Sequence, residues 1–182
     1  MTVNHMPHLP IALACLLLSA CASWSPFSKQ ETTETPTAQP APDSASTPVG
    51  AAPVFFDSPG HESINQTLGY SSAVRAGDWI IVSGQVGMDP VTGDVPRDFN
   101  QQVRVAFGNL RGALREAGAT LSDVVEIQTY QLDMRKFGDV VRIRQEVFGK
   151  HRPAWTALGV RALADPQLHF EVRAVAYAPQ TP

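Results

Sequence analysis

The sequence is poor in the features that usually announce a function. It holds two cysteines, Cys15 and Cys21, too few for a disulfide framework or a cysteine-based metal knuckle. The histidines His61, His151 and His169 are scattered without ligand spacing, so no metal site is expected. No Gly-rich phosphate loop or nucleophile elbow occurs, which removes the commonest nucleotide and acyl-transfer chemistries and leaves no implied cofactor. With a net charge of −3 and no basic cluster, the chain also lacks the electrostatic footprint of a nucleic-acid binder. Before residue 60 only Lys29, Glu31, Glu34, Asp43 and Asp57 are charged, while nine of the 15 prolines fall there. The 182 residues therefore divide into a Pro-rich, charge-poor leader and a globular remainder of ordinary composition.

The leader is read from its one apolar run. Ile11 to Leu18 is too short for the roughly 20 residues of a spanning helix but fits the h-region of an export signal. The Leu18-Ser-Ala-Cys21 that follows resembles the lipobox of bacterial lipoproteins. That resemblance implies cleavage before Cys21 and lipidation of its thiol, with Ala22 at the second mature position pointing to the outer membrane. Cys15 would leave with the signal, so the mature chain would keep one cysteine and no disulfide. Residues 1–20 are thus expected to be a lipoprotein signal peptide. Residues 21–62, rich in Ser, Thr, Ala and Pro, are expected to be a disordered tether. The expected address is the cell envelope, with the protein facing the periplasm on a membrane anchor at Cys21.

From Ser63 to about residue 179 the texture changes. Gly77 to Gly84 reads as a β-branched strand after a Gly-Asp turn, and Asp89 to Asp94 as a turn. Asp98 is placed to cap a helix, with Gln101 at capping-box spacing. Phe99, Val103, Ala106, Leu110, Leu114 and Ala117 recur at intervals of 3 or 4 before Gly118. Gly108 and Gly112 inside that helix are expected to mark close approach to a sheet. A strand over Val124 to Leu132 leads to a helix capped by Asp133 and ending at Gly149. A strand over Trp155 to Val160 and another over Leu168 to Tyr177 complete the domain. In the last strand Leu168, Phe170, Val172, Ala174 and Ala176 share one face, and His169, Glu171, Arg173, Val175 and Tyr177 the other. The pattern predicts an α+β domain, a mixed sheet with two helices on one face. The apolar residues on its second face predict that an oligomer covers it.

These residues carry a family resemblance. Tyr70, Gly77, Ile80, Ile81, Ser83-Gly84-Gln85, Pro90-x-Thr92-Gly93, Pro153-Ala154 and the closing Glu171-x-x-Ala174-x-Ala176 resemble, in order, the Rid family. This is the reactive intermediate deaminase or YjgF-like group, also labelled L-PSP endoribonuclease-like. The resemblance implies a chorismate-mutase-like homotrimer with small-molecule pockets at its subunit interfaces. In catalytic members an arginine after Pro-Ala grips a substrate carboxylate, and a glutamate on the final strand handles water or protons. By position Glu171 matches the glutamate, Tyr70 the pocket tyrosine, and Ser83 with Gly84 the strand edge. The arginine position holds Trp155.

An uncharged indole with one N–H cannot replace a guanidinium fork. Arg161 lies about 20 Å along the strand from Trp155 and is too far to substitute. Arg173 shares Glu171's face at about 7 Å, and either pairs with Glu171 or an interface partner or binds ligand itself. Thr156 is a further polar candidate. Two readings follow: a hydrolase of small imines, enamines or related C–N substrates with weak activity on 2-imino acids, or a non-catalytic ligand-binding trimer with Trp155 as a stacking platform. A ribonuclease role is disfavoured by the acidic charge.

Overall fold

A computed structural model describes residues 52–180 of the chain. The expected signal peptide, Cys21 and most of the expected tether lie outside the described residues. The ordered chain begins earlier than residue 63. Strand β1 (Val54–Phe56) pairs antiparallel with β2 (Ala73–Ala76), and helix α1 (Glu62–Leu68) lies between them. Three residues are too few to show a period, so β1 is invisible in the pattern. Its aromatic Phe56 nevertheless packs against the core.

The remaining elements are β3 (Trp79–Val86), α2 (Phe99–Glu116), β4 (Val124–Gln131), α3 (Phe137–Phe148), β5 (Ala154–Gly159) and β6 (Phe170–Tyr177). They form one six-stranded sheet in the order β1-β2-β3-β6-β4-β5. Only β4 and β5 are parallel, joined through α3, as a parallel pair requires a crossover connection. The sheet is therefore mixed and the domain α+β, as the pattern predicts.

Asp98 caps α2 by accepting from the Gln101 N–H at 2.8 Å. Asp133 caps a 3-10 turn (Met134–Lys136) rather than α3 itself, which starts one turn later. Both helices bury their apolar stripes on one sheet face. Phe107 of α2 sits at the junction, with its ring 6.0 Å from Phe148 of α3 and 5.8 Å from Phe170 of β6. Gly108 and Gly112 do not mark a close approach, since a Cβ at either would meet nothing within 4 Å. They lie off the stripe that touches the sheet. Buried Arg75 of β2 donates to the carbonyls of Ala117, Gly118 and Ala178, tying the C-terminus of α2 to the last strand. That is the end of a helix where orphan carbonyls and the dipole favour a cation.

The opposite sheet face carries no helix α2 or α3. Trp79 and Tyr177 lie edge to face there at 5.0 Å, with Ile81 beside them, and all three are about half exposed.

Candidate active site

The site is built where β3 and β6 run side by side at the end nearest α1. Val86 pairs with Glu171 across the two strands, and Tyr130 of β4 flanks Glu171 on its other side. The strand alternation that buries Phe170 and Val172 turns Glu171 to the open face. A bulge between Val82 and Gln85 brings Gly84 under the Glu171 side chain. A Cβ at Gly84 would overlap the Glu171 carboxylate and lie 2.8 Å from its Cδ. Glycine is therefore what admits the carboxylate to this position.

A cavity of about 470 Å3 opens over these residues, lined by Tyr70, Ser83, Gly84 and Glu171, with His61, Ile64 and Leu68 of the α1 segment forming a wall. Asp165 and Leu168 close it from the loop before β6. Gly69 ends α1 with a left-handed φ of 72°, which turns the chain so that Tyr70 faces the cavity. Buried Asn65 fixes that corner, donating to Asp57 at 2.6 Å and Ser72 at 2.9 Å. The Ser83 hydroxyl donates to the Ser71 carbonyl at 2.7 Å, so its lone pairs remain available as acceptors.

Electrostatically the cavity favours uncharged forms. Burial raises the Glu171 carboxyl above its ordinary pKa, and among the described residues no cation pairs with it. Burial also raises the Tyr70 phenol, helped by the charges of Asp57 and Glu171, so it remains a proton donor. His61 is 8% exposed, and burial lowers its pKa against the opposing pull of Glu62. Its Nδ1 is buried without a hydrogen-bond partner. Ligand spacing alone leaves His61 among the scattered histidines. The local signal was the Pro59-Gly60 turn before it: Gly60 has φ 86°, and a Cβ there would press on the Pro90 carbonyl at 2.9 Å. The turn thus packs the His61 corner onto the loop that holds Pro90.

Three candidates stand apart from this cavity. Thr156 of β5 and Arg173 of β6 both lie opposite Gln128 of β4, in one row across the open face. Arg173 Nη1 reaches Gln128 Oε1 at 3.5 Å and forms no ion pair with Glu171. Trp155 pairs with Ile127 and so points to the helix-covered face, opposite Glu171. Its Nε1 donates to Thr129 Oγ1 at 3.0 Å, and its ring packs on Phe137 at 5.2 Å. Arg144 of α3 lies over the same ring. Within one chain, then, Glu171, Tyr70, Ser83 and Gly84 converge, while Trp155, Thr156 and Arg173 do not join them. No three His, Cys, Asp or Glu side chains among the described residues gather as a cation site would need.

The comparisons with known proteins agree with this fold. The chain is 38% identical over 123 residues to the RutC family protein YjgH of Escherichia coli, covering 66% of this chain and 92% of that protein. It is 30% identical over 110 residues to an Escherichia coli 2-iminobutanoate/2-iminopropanoate deaminase, covering 59% and 85%. The crystal structure of Rv2704 from Mycobacterium tuberculosis, of the YjgF/YER057c/UK114 family, superposes with a TM-score of 0.62 at 33% identity. It covers 70% of this chain and all of that one. The family model described as Endoribonuclease L-PSP matches residues 61–178, from the His61 wall of the cavity to the end of β6, and the chain belongs to that family, the Rid or YjgF-like group.

Proposed function

We propose that the protein is a Rid-like lipoprotein that binds a small neutral or cationic C–N compound and hydrolyses it as an imine or enamine, with Glu171 as the proton-handling group. The observation that carries this reading is the Glu171 carboxyl, held over Gly84 in a cavity, raised in pKa by burial and free of any ion pair among the described residues. A general acid–base group works best when its pKa approaches the working pH, which burial favours here. Water adds across the C=N bond to give a carbinolamine; Glu171 takes a proton from the water and passes it to nitrogen. The carbinolamine hydroxyl then gives its proton through Glu171 to the nitrogen as the C–N bond breaks, so that ammonia leaves and a carbonyl compound remains. Tyr70 and Ser83 orient the substrate at the cavity wall.

The charge of the site shapes the substrate class. The position matched to the family's carboxylate-binding arginine is Trp155, so hydrolysis of 2-imino acids is expected to be weak or absent. The open face with Trp79, Ile81 and Tyr177 supports burial in a homotrimer, with the working pockets at its interfaces as the family resemblance implies. The lipobox supports an anchor at Cys21 and a place in the envelope; Cys21→Ser should move the protein from the membrane to the soluble fraction.

The deciding assay measures ammonia released from an imine formed in situ by the full chain, Glu171→Ala and Trp155→Arg. Slow release of 2-iminobutanoate nitrogen that vanishes in Glu171→Ala supports the reading. A rate matching the Escherichia coli deaminase refutes the weak-activity claim, and a rate unchanged in Glu171→Ala removes Glu171 from the chemistry. Saturable ligand binding with no turnover of any C–N substrate would identify a binding module instead.

A further inference from the structure

Helix α1 carries large apolar side chains that the folded chain does not bury. Buried Asn65 anchors the helix through its hydrogen bonds to Asp57 and Ser72. Ile64 and Leu68 stand one helical turn apart on the neighbouring flank, and both line the Glu171 cavity. They are 41% and 65% exposed, and neither belongs to the hydrophobic core. Packing inside the chain therefore gives no reason for two aliphatic residues here. Met88 after β3 and Leu168 before β6 add apolar lining to the same cavity from two other segments.

A small-molecule site is typically apolar with a few placed polar groups, and Glu171, Tyr70 and Ser83 are those groups here. No Lys or Arg lines the cavity among the described residues, and its charged side chains, Glu171 and Asp165, are both acids. A ligand carboxylate would find like charge and no partner. An apolar substituent instead gains by taking the α1 side chains out of water. The volume of about 470 Å3 leaves room for several carbons beside the C–N group.

We propose that the ligand of this cavity is an imine or enamine bearing a branched aliphatic or aryl substituent in place of a carboxylate, and that Ile64 and Leu68 select it. The inference rests on the reading of the Glu171 cavity as the hydrolytic site. Water gives its oxygen to carbon and both its protons to nitrogen, so an aldimine ends as an aldehyde and ammonia with no change in oxidation level. The reaction that supplies such an aldimine is the two-electron oxidation of a primary amine.

Stable amides probe this preference apart from turnover. Calorimetric titration of the full chain with 3-methylbutanamide and with acetamide compares ligands that differ by three carbons, each worth up to about fourfold in affinity when buried. The larger amide should bind at least tenfold tighter. Leu68→Ser and Ile64→Ser should each weaken it several-fold and leave acetamide unchanged; both positions are exposed, so the variants are expected to fold. Val91→Ser, at an 83% exposed position outside this cavity, should change neither affinity. Equal affinity for the two amides, a preference that survives both α1 variants, or one lost equally in Val91→Ser overturns the assignment. So does a parent without preference in which Leu68→Ser alters sedimentation, since a second copy would then cover these side chains. Ammonia release from the imine of 3-methylbutanal tests the hydrolase reading separately. Preference without turnover keeps the selection by α1 and removes the chemistry, whereas Glu171-dependent turnover without preference removes the selection and keeps the chemistry.

Discussion

Gly84→Ala separates the role of the Glu171 carboxylate from the stability of the sheet. The new Cβ would lie 2.8 Å from Glu171 Cδ and 3.3 Å from its Cγ, against about 3.5–4.0 Å for comfortable carbon contacts. The carboxylate must therefore move by about 1 Å, a displacement that typically costs a reacting group about 100-fold in rate. The fold should hardly notice. Gly84 has no left-handed φ to preserve, the obstructing atoms are the end of a flexible side chain, and alanine in a strand gains about 0.5–1 kcal/mol over glycine. Gly87→Ala supplies the contrast, because its Cβ would strike the backbone Cα of Gln102 at 2.6 Å, where nothing can swing aside. Turnover or ligand affinity and thermal unfolding should be measured on both variants. Gly84→Ala is expected to lose about 100-fold in function with its melting point within a few degrees of the parent, while Gly87→Ala unfolds at a markedly lower temperature. Full function in Gly84→Ala would show that the carboxylate position does not matter, and the argument from geometry would fail.

Four further outcomes follow from the same contacts. Burial raises the Glu171 pKa above its ordinary 4.5, so the folded state binds that proton more tightly than the unfolded state. The associated stability is present below about pH 4.5 and lost as pH rises through the raised value; Glu171→Gln should raise the melting point at pH 7 and not at pH 4. Gly108→Ala and Gly112→Ala should each stabilise by up to about 1 kcal/mol in thermal unfolding, since open space surrounds both positions; a loss would reveal an unseen packing partner. Trp155→Arg would set a like charge about 5.6 Å from Arg144, a repulsion of about 3 kcal/mol at an effective dielectric of 20. Denaturant unfolding of Trp155→Arg, Arg144→Gln and the double variant should show the second substitution rescuing the first, and strict additivity would rule the contact out. Arg75→Met should cost about 3 kcal/mol by leaving the carbonyls of Ala117, Gly118 and Ala178 unpaired, read as a lower denaturant midpoint at unchanged slope.

Much of the architecture can be read along the chain because it is local. The 3–4 spacing from Phe99 to Ala117 sets the buried stripe of α2, the Asp98 side chain finds Gln101 three residues away, and alternation in β6 places Glu171 and Phe170 on opposite faces. The ordered motifs from Tyr70 to Ala176 also suffice to reach the family. Other features depend on partners distant in sequence. β1 exists because β2 pairs with it, and α1 gains its importance from lying over strands that follow it. His61 becomes a cavity residue only when Glu171, 110 positions later, closes the opposite side.

Trp155 shows the division most clearly. Its identity is plain in the sequence, and so is the chemistry it cannot perform. Its direction is not, because β5 is a half-exposed edge strand whose own alternation names no inner face. Pairing with Ile127 turns the indole toward α3, away from Glu171 and under Arg144. Composition and periodicity determined helices α2 and α3, strands β3, β4, β5 and β6 and the face of Glu171, because each is encoded between near neighbours. Tertiary structure alone decided the opening over Gly84 and the Arg144 guanidinium over Trp155, because both arise from register and packing between segments that only the folded chain brings into contact.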